Sequence, residues 1–152
     1  MENWARFFAY STGVLVIGLA IIVFTETFLT YIEVPGWPGY VTLLAYGLVY
    51  LNFSYGVNRR FVTKKRREIN LAYLLGFLLF LPPAVWVYVK DVGLYDQRPL
   101  FLAVLFFACL LGAYFGIRSG LSRREAYFEK LRQYREQLPD DLKKSHEHLN
   151  KN

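Results

Sequence analysis

Four stretches of this chain, residues 7–31, 40–57, 71–89 and 100–117, hold between them a single charged side chain, Glu26. A bilayer core about 30 Å thick is crossed by about 20 apolar residues in helical conformation, and each stretch approaches or meets that length. The remaining charge is packed into what lies between and after them. With 152 residues, 55% hydrophobic and 18% aromatic, and a net charge of +6, the chain is too apolar for an ordinary soluble domain and too charged to be membrane throughout. The sequence therefore predicts an all-α polytopic membrane protein with four transmembrane helices arranged as two antiparallel hairpins. Residues 1–120 form that domain.

The first stretch, "FFAYSTGVLVIGLAIIVFTETFLTY", is longer than the apolar core of a cleaved signal peptide, and no A-x-A-like site follows it, so it is read as a retained helix. The second barely reaches the required length. Between the first two lies "IEVPGWPG", and between the last two "KDVGLYDQRP". Both are short, and the first is plain turn chemistry. No internal repeat or low-complexity segment is present.

Orientation follows from where Lys and Arg fall. Arg6, six residues in the 58–69 loop "NRRFVTKKRREI" and nine in the C-terminal tail account for sixteen of the eighteen, leaving Lys90 and Arg98 for the other two loops. Both termini are expected on the cytoplasmic side. Glu33, Asp91 and Asp96 make the opposite face near neutral or slightly acidic. Trp and Tyr favour the two interfaces, and the placement agrees: Trp4, Tyr55, Tyr73 and Tyr114 fall toward the inner boundary, Tyr31, Trp37, Tyr40, Trp86, Tyr88 and Tyr95 toward the outer.

After the fourth span, Ser122 and Glu125 have capping-box spacing and Pro139 closes the pattern. Tyr127, Phe128, Leu131, Tyr134 and Leu138 recur at three- and four-residue steps, which predicts a cytoplasmic amphipathic helix over 121–139. Residues 140–152 read as a polar, flexible tail.

Small residues four apart allow helices to approach closely in hydrocarbon. Ala108, Gly112, Gly116 and Gly120 have that spacing in the fourth span, and Ala72 and Gly76 in the third. An antiparallel register places Ala72 opposite Gly116 and Gly76 opposite Gly112; the alternative is that the glycine ridge faces another subunit. Pro82 and Pro83 interrupt backbone hydrogen bonding near the middle of the third span. Broken helices carry substrate sites in transporters, but Pro is also tolerated in membrane helices of every function.

An intramembrane carboxylate is a functional candidate. Glu26, however, lies only five residues before Tyr31, about 7 Å by helical rise and near the headgroups. A relay would want a second buried ionisable group, which the other spans do not supply. Asn52 and Ser54 suit hydrogen bonds across helices better than a ligand site. Glu26, Asn52, Pro82 and Pro83 are the transport candidates. The single cysteine, Cys109, allows no disulfide within the chain. His146 and His148 in the tail are two imidazoles without a third ligand, so no metal or cofactor is expected. There is no G-x-S-x-G, H-E-x-x-H or phosphate loop, and no catalytic residue is assigned.

These absences, with the aromatic-rich spans and glycine ridge, point to a non-catalytic subunit packed within a larger inner-membrane assembly of a prokaryote. The alternative is a small homo-oligomeric transporter or channel. A basic collar of Arg59, Arg60, Lys64, Lys65, Arg66, Arg67, Arg118, Arg123 and Arg124 is expected to meet anionic headgroups or partner subunits at the cytoplasmic rim. The 58–69 loop is too short to leave the headgroup zone, so nucleic acid is not the expected partner.

Overall fold

A computed structural model of the chain describes residues 2–34, 36–64, 69–89 and 97–137. Among these residues there are helices and turns but no strand: α1 (Glu2–Phe24), α2 (Glu26–Leu29) followed by a 3₁₀ turn (Thr30–Glu33), α3 (Trp37–Lys64), α4 (Ile69–Val89) and α5 (Arg98–Gln137). The expectations for Lys65, Arg66 and Arg67, for Lys90, Asp91, Tyr95 and Asp96, and for the tail with Leu138, Pro139, His146 and His148 lie outside the described residues. Three helices are long and apolar enough to cross a membrane: α1 over Phe7–Phe24, α4 over Ile69–Val89, and α5 within Arg98–Glu136. That makes the chain compatible with a multi-pass membrane protein. α3 is longer than α4 but falls short of the same apolarity, because it carries Asn52, Ser54, Asn58, Arg59 and Arg60.

The first apolar stretch is not one helix. It breaks at Thr25, whose backbone leaves the helical region (φ −109°, ψ 10°). The Thr25 hydroxyl donates to the Ile21 carbonyl at 2.5 Å, a back-bond that competes with regular helix geometry. From across the bundle the Tyr46 hydroxyl donates to the Thr25 carbonyl at 2.6 Å, an oxygen that also accepts from the Phe28 N–H at 2.9 Å. Tyr46→Phe is expected to cost about 1 kcal/mol, the usual net worth of such a bond. Faster amide exchange confined to residues 25–29 is the measurement that checks it. The chain then turns through Gly36, whose φ of +97° lies in the region that favours glycine. Gly39 is buried against the carbonyls of Val34 and Ile32, so the turn folds onto the start of α3.

Consecutive long helices run antiparallel, yet they do not pack chiefly as hairpins. α3 makes its most extensive contact with α5, and α1 with α4. Gly47 meets Val104, Gly116 meets Tyr55, Asn58 and Arg59, and Gly120 meets Arg59, Val62 and Thr63, so positions rise together along α3 and α5 and the two helices are parallel. Gly76 against Ala113 and Phe80 against Phe106 run in opposite order, so α4 is antiparallel to α5. Tyr46 at Thr25, Tyr50 at Gly18 and Tyr10 at Phe61 make α1 antiparallel to α3. α1 and α4 are therefore parallel. Both pairs of consecutive helices are antiparallel, as expected, but the more extensive contacts join them into two interleaved parallel pairs, because the close-approach ridge of α5 is turned to α3.

α3, α4 and α5 share a core of Tyr50, Leu75, Leu79, Phe101, Leu105 and Cys109, to which α1 adds Val14 and Ile22. Outside it, large apolar side chains such as Phe24, Trp37, Leu44, Phe77, Val85 and Phe107 stand exposed all around the bundle. A water-soluble monomer rarely shows so continuous an apolar surface.

α5 does not stop after its apolar part. It runs unbroken for 40 residues, about 60 Å by helical rise. Ser122 therefore lies inside a continuous helix and starts no new one, since the backbone donors it would cap already have partners one turn back. Every side chain from Glu125 to Glu136 is exposed.

Candidate functional site: a polar seam and a lateral groove

The ridge of α5 defines the tightest junction in the chain. A Cβ on Gly112 would collide with the Leu51 carbonyl and lie 2.8 Å from Ser54 Cβ; one on Gly116 would lie 2.6 Å from the Tyr55 carbonyl oxygen. Both glycines thus meet α3, not Gly76 and Ala72 as the antiparallel register had it. Gly76 does reach α5, but on its neighbouring face, at Ala113 and the Cys109 carbonyl. Ala72 and Ala108 are buried. α4 and α5 are antiparallel, with Gly76 beside Ala113; what differs from the expected register is rotation about the α5 axis.

Bringing backbones together at the ridge leaves polar groups of α3 with no access to water, and they are paired partly across the seam and partly along α3 itself. Ser54 Oγ donates to the Cys109 carbonyl at 2.7 Å. Asn58, fully buried, donates through Nδ2 to the Ser54 carbonyl at 2.9 Å, while its Oδ1 has no partner among the described residues. Beside them, the Tyr55 and Ser119 hydroxyls stand 3.2 Å apart. Arg59 donates to the Tyr55 hydroxyl at 3.3 Å and lies over its ring. Sequence reasoning passed over Asn58 and Arg59 as seam residues. Their signal is the i, i+4 repeat of Ser54 and Asn58, in register with glycines at the same step on α5.

The remaining basic candidates separate. Arg60 and Arg118 are exposed and lie at the level of the seam's polar end; Arg123 and Arg124 follow one turn further along α5, and Arg124 sits 5.3 Å from the centre of the Phe128 ring. Lys64 is the last residue of α3.

The transport candidates do not converge. Glu26 opens α2 beyond the Thr25 break, half-buried, with neither an ion pair nor a hydrogen bond to the described residues. Pro82 and Pro83 lie within α4, which continues helically through both. Pro83 leaves the Leu79 carbonyl without its usual helical donor. That oxygen is turned to α1, where a Cβ on Gly18 would lie only 2.9 Å away, so it is covered by the neighbouring helix.

Asn52 belongs elsewhere. Between the contact of Tyr50 with Gly18 and that of Tyr10 with Phe61, α1 and α3 separate and leave an open groove of about 540 Å³. Ala9, Gly13, Val14 and Ile17 form one wall; Phe53, Gly56 and Val57 form the other, with Asn52 at one end and Arg60 at the other. Neither Asn52 nor Arg60 makes a hydrogen bond or ion pair with the described residues. Among those residues no cluster of His, Cys, Asp or Glu could hold a metal ion, and the only cysteine, Cys109, is buried.

No protein-family model, no curated protein and no solved structure is significantly similar to this chain.

Proposed function

We propose that the chain is a non-catalytic subunit of a larger protein assembly in a prokaryotic cytoplasmic membrane. It crosses the bilayer four times with its basic ends inside, and offers the projecting part of α5 to a partner. The observation that carries this reading is the unpartnered stripe of Tyr127, Leu131 and Tyr134, with Phe128 beside it, exposed on a helix that runs beyond the rest of the bundle. Apolar rows of this kind on a water-side helix are docking faces for another helix or groove. Read this way, the stripe gives residues 121–137 the amphipathic character of a docking helix without a separate start.

α3 as the fourth span is supported by where its polar groups sit. Ser54 and Asn58 are buried and Arg59 half-buried at the α5 seam, so the face α3 turns outward is mostly Val41, Leu44, Leu48, Val49 and Phe53. The charge distribution supports the orientation. The rival reading, a homo-oligomeric transporter or channel, draws less support: Glu26, Asn52 and the Pro pair lie on separate parts of the bundle.

Purification of tagged full-length protein in mild detergent is expected to bring down foreign subunits in fixed stoichiometry. The double substitution Tyr127→Ser, Leu131→Ser is expected to weaken that association tenfold or more, as loss of buried aromatic and aliphatic anchors does, without altering helix content. A homodimer free of other polypeptides would overturn the proposal.

A further inference from the structure

Most glycines in the helices of this chain are close to something. Gly18, Gly47, Gly76, Gly112, Gly116 and Gly120 each have an atom of a neighbouring helix within 3.4 Å of where a Cβ would stand. Gly13 and Gly56 have nothing within 4 Å, and both line the groove between α1 and α3. Their missing side chains keep open a slot that no part of the described chain fills. In a bilayer such a slot does not stay empty.

We infer that this groove is a binding site for one anionic phospholipid of the inner leaflet, with an acyl chain lying between α1 and α3 and the phosphate on Arg60. The inference rests on the multi-pass reading with the basic ends inside. Three features select this occupant. Arg60 and Asn52 are two helical turns apart on one face of α3, about 12 Å along the axis; half of a bilayer core is about 15 Å. The groove therefore has the depth of a single leaflet. Its volume of 540 Å³ falls within the range of roughly 300–1,000 Å³ that holds a small ligand, and between its two polar ends the walls are apolar apart from the Tyr10 hydroxyl. Arg60 has no acidic partner among the described residues, and it stands at the basic end, where a guanidinium meets phosphate in paired hydrogen bonds. Basic pockets between transmembrane helices on the inner side suit anionic headgroups. A transmembrane helix from a partner is the competing occupant. It would explain Asn52 better but, among the described residues, leaves Arg60 without a counter-charge.

The test is native mass spectrometry of the full-length protein, titrated in mild detergent with phosphatidylglycerol or phosphatidylcholine. One phosphatidylglycerol is expected to bind with a clear preference over phosphatidylcholine, and excess inorganic phosphate is expected not to displace it. Arg60→Gln is expected to weaken binding roughly fivefold, the effect of one basic contact at an anionic headgroup. Gly56→Leu, which meets no atom of the chain at its Cβ and improves helix propensity, is expected to fold and to abolish retention. Arg118→Gln, the same charge change off the groove, is expected to leave binding unchanged. Unaltered lipid binding in both Arg60→Gln and Gly56→Leu would overturn the inference. So would a co-purifying polypeptide lost on Asn52→Leu while the lipid count stays the same, which would make the groove a helix-docking face. Alkaline carbonate extraction keeps the two levels apart: release from membranes refutes the multi-pass reading, whereas a retained protein without lipid preference refutes the groove alone.

Discussion

Gly112→Leu is expected to cost about 3 kcal/mol or more, at or beyond the upper end of the usual penalty for overpacking. The reason is what the new side chain strikes. A far end of a flexible side chain can swing away, but here the obstacle is the Leu51 carbonyl and the Cβ of Ser54, so α3 itself would have to move. Against the about 5–15 kcal/mol that domains hold in total, a loss of this size raises the population with an open seam roughly a hundredfold. Cys109 reports it directly: the thiol is 1% exposed beside the seam, and its labelling by a maleimide should pass from very slow to fast. Gly13→Leu, placed where a Cβ meets nothing, is the matched control and should leave Cys109 protected. Loss of a partner subunit with Cys109 still protected in Gly112→Leu would return the ridge to the role of an intermolecular contact.

Asn58→Asp should be comparably damaging with no change in size. The amide nitrogen now donates to the Ser54 carbonyl; a carboxylate oxygen in its place would face that carbonyl as one acceptor against another. It would also bring a charge into a site of zero exposure, and an uncompensated buried charge costs about 3–5 kcal/mol. Arg59, the nearest cation in sequence, is held on Tyr55. Asn58→Leu should be milder, since it removes the bond to Ser54 together with the unpaired Oδ1, and an apolar replacement of polar partners is cheaper than leaving one of them stranded. Thermal unfolding of the three proteins in one detergent orders them; an Asn58→Asp protein as stable as Asn58→Leu would mean the site is wetter than its packing implies.

Much of the fold was legible because hydrocarbon leaves a chain few choices. The four apolar stretches fall on α1 with α2, on α3, on α4 and on the first half of α5, and the glycines of α5 announced a close approach before any partner was known. What the pattern did not carry was the partner's identity. A four-residue ridge states that something comes near; it does not state which of two neighbouring helices does so. Gly76 and Ala72 matched the ridge in spacing, but α3 offered a bare backbone at Leu51 and Tyr55 with Ser54 and Asn58 needing cover, and that requirement decided the rotation. The break at Thr25 was hidden for a related reason. Threonine is neutral in an apolar run, and one of the bonds that hold the break comes from the hydroxyl of Tyr46, distant in sequence. Conversely, capping-box spacing at Ser122 was a true pattern without a helix start, because the helix already running through it supplied the bonds a cap would make. The groove was invisible in sequence, since Gly13 and Gly56 look like any other glycine until the space beside them is seen.

The parallel pairing of α3 with α5 also sets an order of events during synthesis. α3 leaves the ribosome with Ser54 and Asn58 exposed to whatever surrounds it, and the residues that will cover them, from Cys109 to Gly120, are still untranslated. At about 5–20 residues per second the gap between Lys64 and Gly120 lasts several seconds. Through that interval α3 has only α1 and then α4 to pack against, and the finished bundle forms only when α5 comes in beside it. Truncation before residue 109 should therefore leave a nascent chain that insertion factors retain, while one extended past residue 120 should be released.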